Sequence, residues 1–282
     1  DLVAYFMRIL TRGYFIPIFV KFNYDCIQIA SNSIQGTIPS NFGEGKNLEY
    51  LNLNDNELSG AIPKAIGNLE SLLELDISDN NLSGSLPGSL PEKLQILKLN
   101  SNNLQYDLPT ELGTLDDLSM LQLSNNSFER IPSELFNLKN IQVLSLSYNN
   151  LSGSIPKEIG LATSMVLLDF SHNKLSRELP SEIARLEILE YLFLSNNQFE
   201  GTIPSVLSNL YLLKTMDVSS NHFSGDMDTP FCSDRPEWGN QIDVYRADCL
   251  NDGLSLSCAT VCCDGKNYCC DMPNATDCKL RD

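Results

Sequence analysis

Leucine and a few other large apolar residues recur along this chain in the spacing L-x-x-L-x-L, and the polar positions recur just as regularly. The pattern runs through Leu48, Leu51 and Leu53, again through Leu94, Leu97 and Leu99, and again through Leu189, Leu192 and Leu194. Three residues later comes an asparagine, and two residues after that another apolar side chain: Asn56 and Leu58, Asn102 and Leu104, Asn197 and Phe199. The asparagine column reads Asn32, Asn56, Asn80, Asn102, Asn126, Asn149, Asn173, Asn197 and Asn221, with successive spacings of 24, 24, 22, 24, 23, 24, 24 and 24. Each L-x-L alternates inward and outward, which predicts a short strand with its leucines in the core. One such unit cannot bury its apolar edge alone, so neighbours must stack into a continuous core. The asparagine turns the chain out of the strand, and its amide can bond backbone groups of adjacent units. The asparagine column is therefore a structural ladder and not a site.

A second signature follows each asparagine. It reads Gly36-Thr37-Ile38-Pro39, Gly60-Ala61-Ile62-Pro63, Gly84-Ser85-Leu86-Pro87, Gly153-Ser154-Ile155-Pro156 and Gly201-Thr202-Ile203-Pro204. Glycine permits a tight bend and proline ends the extended stretch. The residues after it, such as Lys157-Glu158-Ile159-Gly160, suit one short helical turn. Taken together, the motif L-x-x-L-x-L-x-x-N-x-L-S-G-x-I-P resembles the plant-type leucine-rich repeat family over about residues 24–231. The resemblance implies an α/β repeat solenoid: a right-handed curved stack with a parallel sheet on its concave face and 3-10 or short-helix turns on its convex side. Departures occur at Leu90-Pro91-Glu92-Lys93, which replaces the G-x-L element, at Tyr106 and Arg177, which replace glycine, and at Phe128-Glu129-Arg130-Ile131-Pro132, which is one residue short. They read as surface-loop drift or as a lateral contact region.

The expected organisation is an apolar N-terminal extension or cap over 1–23, nine repeats over 24–231, and a cysteine-rich C-terminal cap over 232–282. Eight of the 9 cysteines fall in that last segment: Cys232, Cys249, Cys258, Cys262, Cys263, Cys269, Cys270 and Cys278. An even number there is consistent with four disulfides in roughly a hundred possible connectivities. Zinc is the rival, although the segment has neither histidine nor a spaced pair of C-x-x-C motifs. The stretches Ala247-Asp248-Cys249-Leu250 and Cys262-Cys263-Asp264-Gly265 resemble the tails of leucine-rich repeat proteins of diatoms and related algae. Cys26 stands alone on the first strand, where the plant family carries a paired-cysteine cap with a tryptophan. It is expected as a buried small thiol, a free thiol or half of an intermolecular pair.

Charge and composition narrow the partners. Lys+Arg number 19 against 36 Asp+Glu, a formal net charge of −17, which argues against nucleic acid and against an anionic membrane surface. The most apolar stretch, Leu2 to Val20, contains Arg8, Arg12 and Pro17. Each arginine would cost about 2.5–3.5 kcal/mol at a bilayer centre, so membrane association is expected only through this segment acting as a docking or targeting remnant, or through a partner. The chain opens on Asp1, which reads as a processed product or a fragment. Sequons at Asn81, Asn125, Asn150 and Asn274 are candidate glycosylation sites and, with the cysteines, place the chain outside the cell or in another oxidising lumen.

Outward positions of the strands supply the candidate surface. Ile96, Met120, Val143, Leu167 and Tyr191 form an apolar column, and Tyr148, His172, Tyr191 and Phe193 extend it into an aromatic cluster. Exposed apolar and aromatic positions mark contact surfaces. An acidic set, Glu74, Asp76, Asp169 and Asp217, is expected to be a solvated face, or else to recruit a basic partner or calcium. The histidines His172 and His222 lie apart, and no nucleophile motif, metalloprotease helix or phosphate loop occurs. The expected function is extracellular recognition of a protein, peptide or glycan on the concave face, with neither catalysis nor a cofactor. The other reading is a structural subunit of a wall, surface or assembly, docked by its ends and flanks.

Overall fold

The computed structural model describes residues 25–224, together with the backbone of four short strands at 244–247, 261–264, 268–271 and 278–280. The expectations for the 1–23 extension, for Cys232, Cys249 and Cys258 and for Asn274 lie outside the described residues. The chain divides into two compact units, residues 1–141 and 142–282.

Every repeat folds by the same local rules. In the first unit the L-x-L segments form strands β1 (Cys26–Gln28), β3 (Tyr50–Asn52), β5 (Glu74–Asp76), β7 (Ile96–Lys98) and β9 (Met120–Gln122), paired in parallel in that order. Their outer counterparts are β2 (Gln35–Thr37), β4 (Glu57–Gly60), β6 (Asn81–Gly84), β8 (Asn103–Tyr106) and β10 (Ser127–Phe128), also parallel. In the second unit the face strands are β11 (Val143–Ser145), β13 (Leu167–Asp169), β15 (Tyr191–Phe193) and β17 (Thr215–Asp217). The outer strands there are β12 (Ser152–Gly153), β14 (Lys174–Arg177), β16 (Gln198–Gly201) and β18 (His222–Phe223). Beyond β17, strands β19 (Val244–Ala247) and β20 (Val261–Asp264) continue the parallel ladder, and β21 (Tyr268–Asp271) and β22 (Cys278–Leu280) join antiparallel.

The I-P proline sets the next element. Pro39, Pro63, Pro109, Pro132, Pro156, Pro180 and Pro204 each precede a five-residue 3-10 turn, with φ between −76 and −59°. The ring fixes φ, and the proline carbonyl accepts the first turn bond, as from Ile66 N–H to Pro63 O at 3.0 Å. Where Leu90-Pro91-Glu92-Lys93 interrupts the motif, the 3-10 turn is missing and one bond, Leu94 N–H to Pro91 O at 3.2 Å, takes its place.

The core is built from the repeating leucines. Leu48, Leu51, Leu72, Leu75, Leu97 and Leu121 are buried in the first unit, and Leu168, Leu189, Leu192 and Leu213 in the second. Each such side chain contributes about 1.5–3 kcal/mol by leaving water. Phe199 and Phe223 stack at 6.0 Å between ring centroids under the outer strands.

The column asparagines bond the backbone of the turns around them. Asn197 Nδ2 donates to Leu194 O (3.1 Å), Ser195 O (3.3 Å) and, one repeat back, Phe170 O (2.9 Å). Its Oδ1 accepts from Leu175 N–H at 3.0 Å. Asn56, Asn80, Asn102, Asn126, Asn173 and Asn221 donate in the same way, to their own turn and to the preceding repeat. Among the described residues Asn32, on the first strand turn, reaches Ile29 O and Ala30 O. Asn149 donates to Leu146 O and Ser147 O in its own turn. These bonds satisfy backbone carbonyls that the short strands cannot pair, which is the condition for burying them.

Candidate functional site

Parallel register is what assembles the site. In the second unit it places Val143 beside Leu167, Leu167 beside Tyr191, and Tyr191 beside Thr215. Two residues further along each strand, Asp169 lies beside Phe193 and Phe193 beside Asp217. Val143, Leu167, Tyr191 and Phe193 are each half-buried, because adjacent strands bring their side chains close enough to cover one another. In the first unit Ile96 and Met120 stand side by side in the same column and are likewise half-buried.

The turn that leaves each face strand adds a second row. The residue before every ladder asparagine has a left-handed backbone, from Ser31 and Asp55 to Tyr148 (φ 52°), His172 (φ 54°) and Asn196 (φ 56°). Aspartate, asparagine and serine bond their own backbone there readily, whereas a tyrosine is an outlier. Tyr148 is 57% exposed. Its ring lies flat on the imidazole of His172, with centroids 4.0 Å apart and planes inclined by 9°. On the other side, Asn196 Nδ2 comes within 3.4 Å of His172 Nε2. Burial holds the imidazole below its ordinary pKa, while the carboxylates of Asp169 and Asp217 pull the other way. Neutral His172 thus accepts stacking on one face and presents its edge to Asn196.

The acidic set is not a solvated face. Asp76 and Asp217 are buried, and Asp169 is half-buried. Each Oδ1 accepts two bonds from the serine two residues on: Ser78 Oγ to Asp76, Ser171 Oγ to Asp169 and Ser219 Oγ to Asp217, all at 2.6 Å, with the serine N–H at 3.0–3.2 Å. A carboxylate tied down by two donors serves the turn before it serves a partner. In the first unit Lys98 lies 3.2 Å from Glu74 and 3.6 Å from Asp76. Among the described residues no group of three or more His, Cys, Asp or Glu is arranged to hold a metal ion. Ser171 Oγ is committed to Asp169, and His172 faces Tyr148 and Asn196. The three adjacent residues do not assemble a proton relay.

Two residues absent from the sequence-based surface complete its edge. Lys214 Nζ sits 5.9 Å from the centroid of Tyr191 and 2.6 Å from Glu190 Oε2. The signal was the recurrence of opposite charges one repeat apart, as at Lys46 and Glu70. Ile188, Tyr211 and Leu212 are also exposed. Cys26 is exposed rather than buried. The sequons at Asn81, Asn125 and Asn150 are exposed. Among the described residues no helix is long and apolar enough to cross a membrane.

The "Leucine rich repeat" family model matches residues 26–82 and 116–175, and a further "Leucine Rich Repeat" model matches 189–210. Solved structures similar to the chain include the ectodomain of the Arabidopsis receptor kinase HAESA in complex with an IDA peptide hormone. That likeness is at 34% identity and a TM-score of 0.70, over 81% of this chain and 39% of that one. A plant peptide hormone receptor, RGFR1 in complex with RGF2, is similar at 31% identity and a TM-score of 0.72, over 79% of this chain and 35% of that one. A plant ice-binding protein is similar at 26% identity and a TM-score of 0.66, over 85% of this chain and 76% of that one. The chain spans between a third and two fifths of the length of these receptor structures. No curated protein matches the chain.

Proposed function

For this chain of leucine-rich repeats, we propose a recognition module that binds a peptide or protein on the strand face of its second unit. The observation that carries the proposal is the half-buried apolar and aromatic surface of Val143, Leu167, Tyr191 and Phe193, bordered by the Tyr148–His172 stack. Half-burial on a sheet face is what a docking surface needs. The rings are held in place by neighbours, yet a partner still removes apolar area from water. The asparagine ladder fixes the backbone beneath them, so little ordering is left to oppose binding. Likeness to two receptor ectodomains solved with peptide hormones supports a peptide or protein over a glycan. Ile96 and Met120 offer a smaller apolar patch on the strand face of the first unit.

The reading includes an extracellular or lumenal setting. Sugars at Asn81 and Asn150, beside the ladder on the outward turn, would leave the strand face open, and one at Asn125 would sit on its rim. Catalysis and a cofactor have no part in it. The test is capture from the native source with the wild-type chain and with Tyr191→Ala/Phe193→Ala as parallel baits. Partners present with the first and missing with the second support the strand face, and identical lists from both overturn it.

A further inference from the structure

The last strands bring cysteines into direct register. In the antiparallel pair β20–β21, Cys262 is opposite Cys270 and Cys263 is opposite Cys269. In the next pair, β21–β22, Cys270 is opposite Cys278. A disulfide requires Cα atoms about 4.4–6.8 Å apart. Directly opposed residues of an antiparallel ladder lie about 4.5 or 5.5 Å apart, according to whether they exchange hydrogen bonds. Both kinds of opposed pair therefore meet the requirement. Neighbouring positions of a strand belong to opposite faces, so Cys262 and Cys270 share one face and Cys263 and Cys269 the other. The two bridges do not compete.

The sequence supports the same register independently. Gly265, Lys266 and Asn267 separate Asp264 from Tyr268, and a three-residue connection with glycine and asparagine is a hairpin signal. The segments Val261-Cys262-Cys263-Asp264 and Tyr268-Cys269-Cys270-Asp271 place their cysteine dyads symmetrically about it. The Cys263–Cys269 loop is the shorter of the two and costs least to close. Once it is closed, Cys262 and Cys270 are already aligned one step away, whereas Cys278 must still be brought in across its own connection.

We propose that the C-terminal hairpin is closed by two adjacent disulfides, Cys263–Cys269 and Cys262–Cys270. Cys278 then pairs outside the hairpin, with Cys232, Cys249 or Cys258. Each bridge forms by attack of one thiolate on the disulfide of an oxidant, a protein or small-molecule disulfide, giving a mixed disulfide that the second thiol resolves. One S–S bond forms in the chain and one breaks in the oxidant, which leaves as two thiols carrying both protons and both electrons. The assignment reduces the roughly hundred connectivities of eight cysteines to a few.

The test is disulfide mapping of the full chain secreted into an oxidising medium, alkylated before digestion without reductant. Trypsin cuts after Arg246, Lys266 and Lys279, so the fragments 247–266 and 267–279 separate unless bridged. The expected result is that they travel together until dithiothreitol is added. The double variant Cys263→Ser/Cys269→Ser should then show no thiol beyond those of the wild type, while Cys263→Ser alone shows one more. Two further thiols in the double variant, a Cys270–Cys278 linkage, or a native protein whose hairpin cysteines alkylate freely or hold zinc would each overturn the assignment.

Discussion

Tyr148 and His172, one repeat apart, stack face to face at 4.0 Å because both occupy the left-handed turn position that leaves the face strand. The stack contributes to the burial that keeps His172 below its ordinary pKa of 6.5. Tyr148→Asn keeps the turn, since Asn196 fills the same position one repeat beyond His172, but uncovers the imidazole. The His172 pKa should then rise, followed as the pH-dependent shift of its imidazole carbon proton by NMR. The sign for stability follows. The folded chain keeps this histidine neutral at a pH where the unfolded chain already binds its proton. Stability therefore falls as pH drops from 6.5 through the folded pKa, and the variant should lose part of that dependence.

Interior ladder positions should be far less tolerant than the first one. Asn197→Ala strands the Phe170, Leu194 and Ser195 carbonyls and the Leu175 N–H, all in a buried turn. An unsatisfied buried group costs about 1–3 kcal/mol, so this variant should lose on the order of 3 kcal/mol or more. Among the described residues Asn32→Ala breaks two local bonds at an exposed turn, and it should lose about 1 kcal/mol. Urea melts of the two variants compare them directly.

Tyr106 and Arg177 stand at φ 76° and 70° in the column where Gly60, Gly84, Gly153 and Gly201 take φ 75–85°. Left-handed backbone costs a side chain about 1–2 kcal/mol, partly offset by the entropy glycine gains when unfolded. Tyr106→Gly and Arg177→Gly should each stabilise the chain by up to about 1 kcal/mol, read as a raised Tm. A fall in Tm would mean that these exposed side chains hold a contact worth more than the strain.

How much of this was legible in the chain depends on the range of the physics. The ladder, the leucine core and the proline-led turns follow from rules that act within one repeat and recur, so Asn197 and Pro204 could be placed from spacing alone. The departure at Leu90-Pro91-Glu92-Lys93 was visible for the same reason, but it read as surface-loop drift or a lateral contact region and the loss of the 3-10 turn there was not drawn from it. The burial of Asp76 and Asp217 was not drawn from the column, although the serine two residues on was in plain view. Reading positions down the strands hid a bond that runs along them. The Tyr148–His172 stack needs the left-handed turn, a backbone feature that hydrophobic periodicity does not report. Half-burial of Leu167 and Tyr191 depends on what each neighbour covers, which register alone decides.

The strand face of the second unit is the central claim, and one binding measurement addresses it most directly. A random peptide library displayed on phage is panned against the wild-type chain, and the most enriched peptide is synthesised and titrated by calorimetry. The account predicts that Tyr191→Ala/Phe193→Ala, with unchanged circular dichroism, weakens that peptide by on the order of tenfold or more. Gln105→Ala, on an exposed outer strand of the first unit, should leave it unaltered. An equal Kd for the double variant and the wild type would contradict the account.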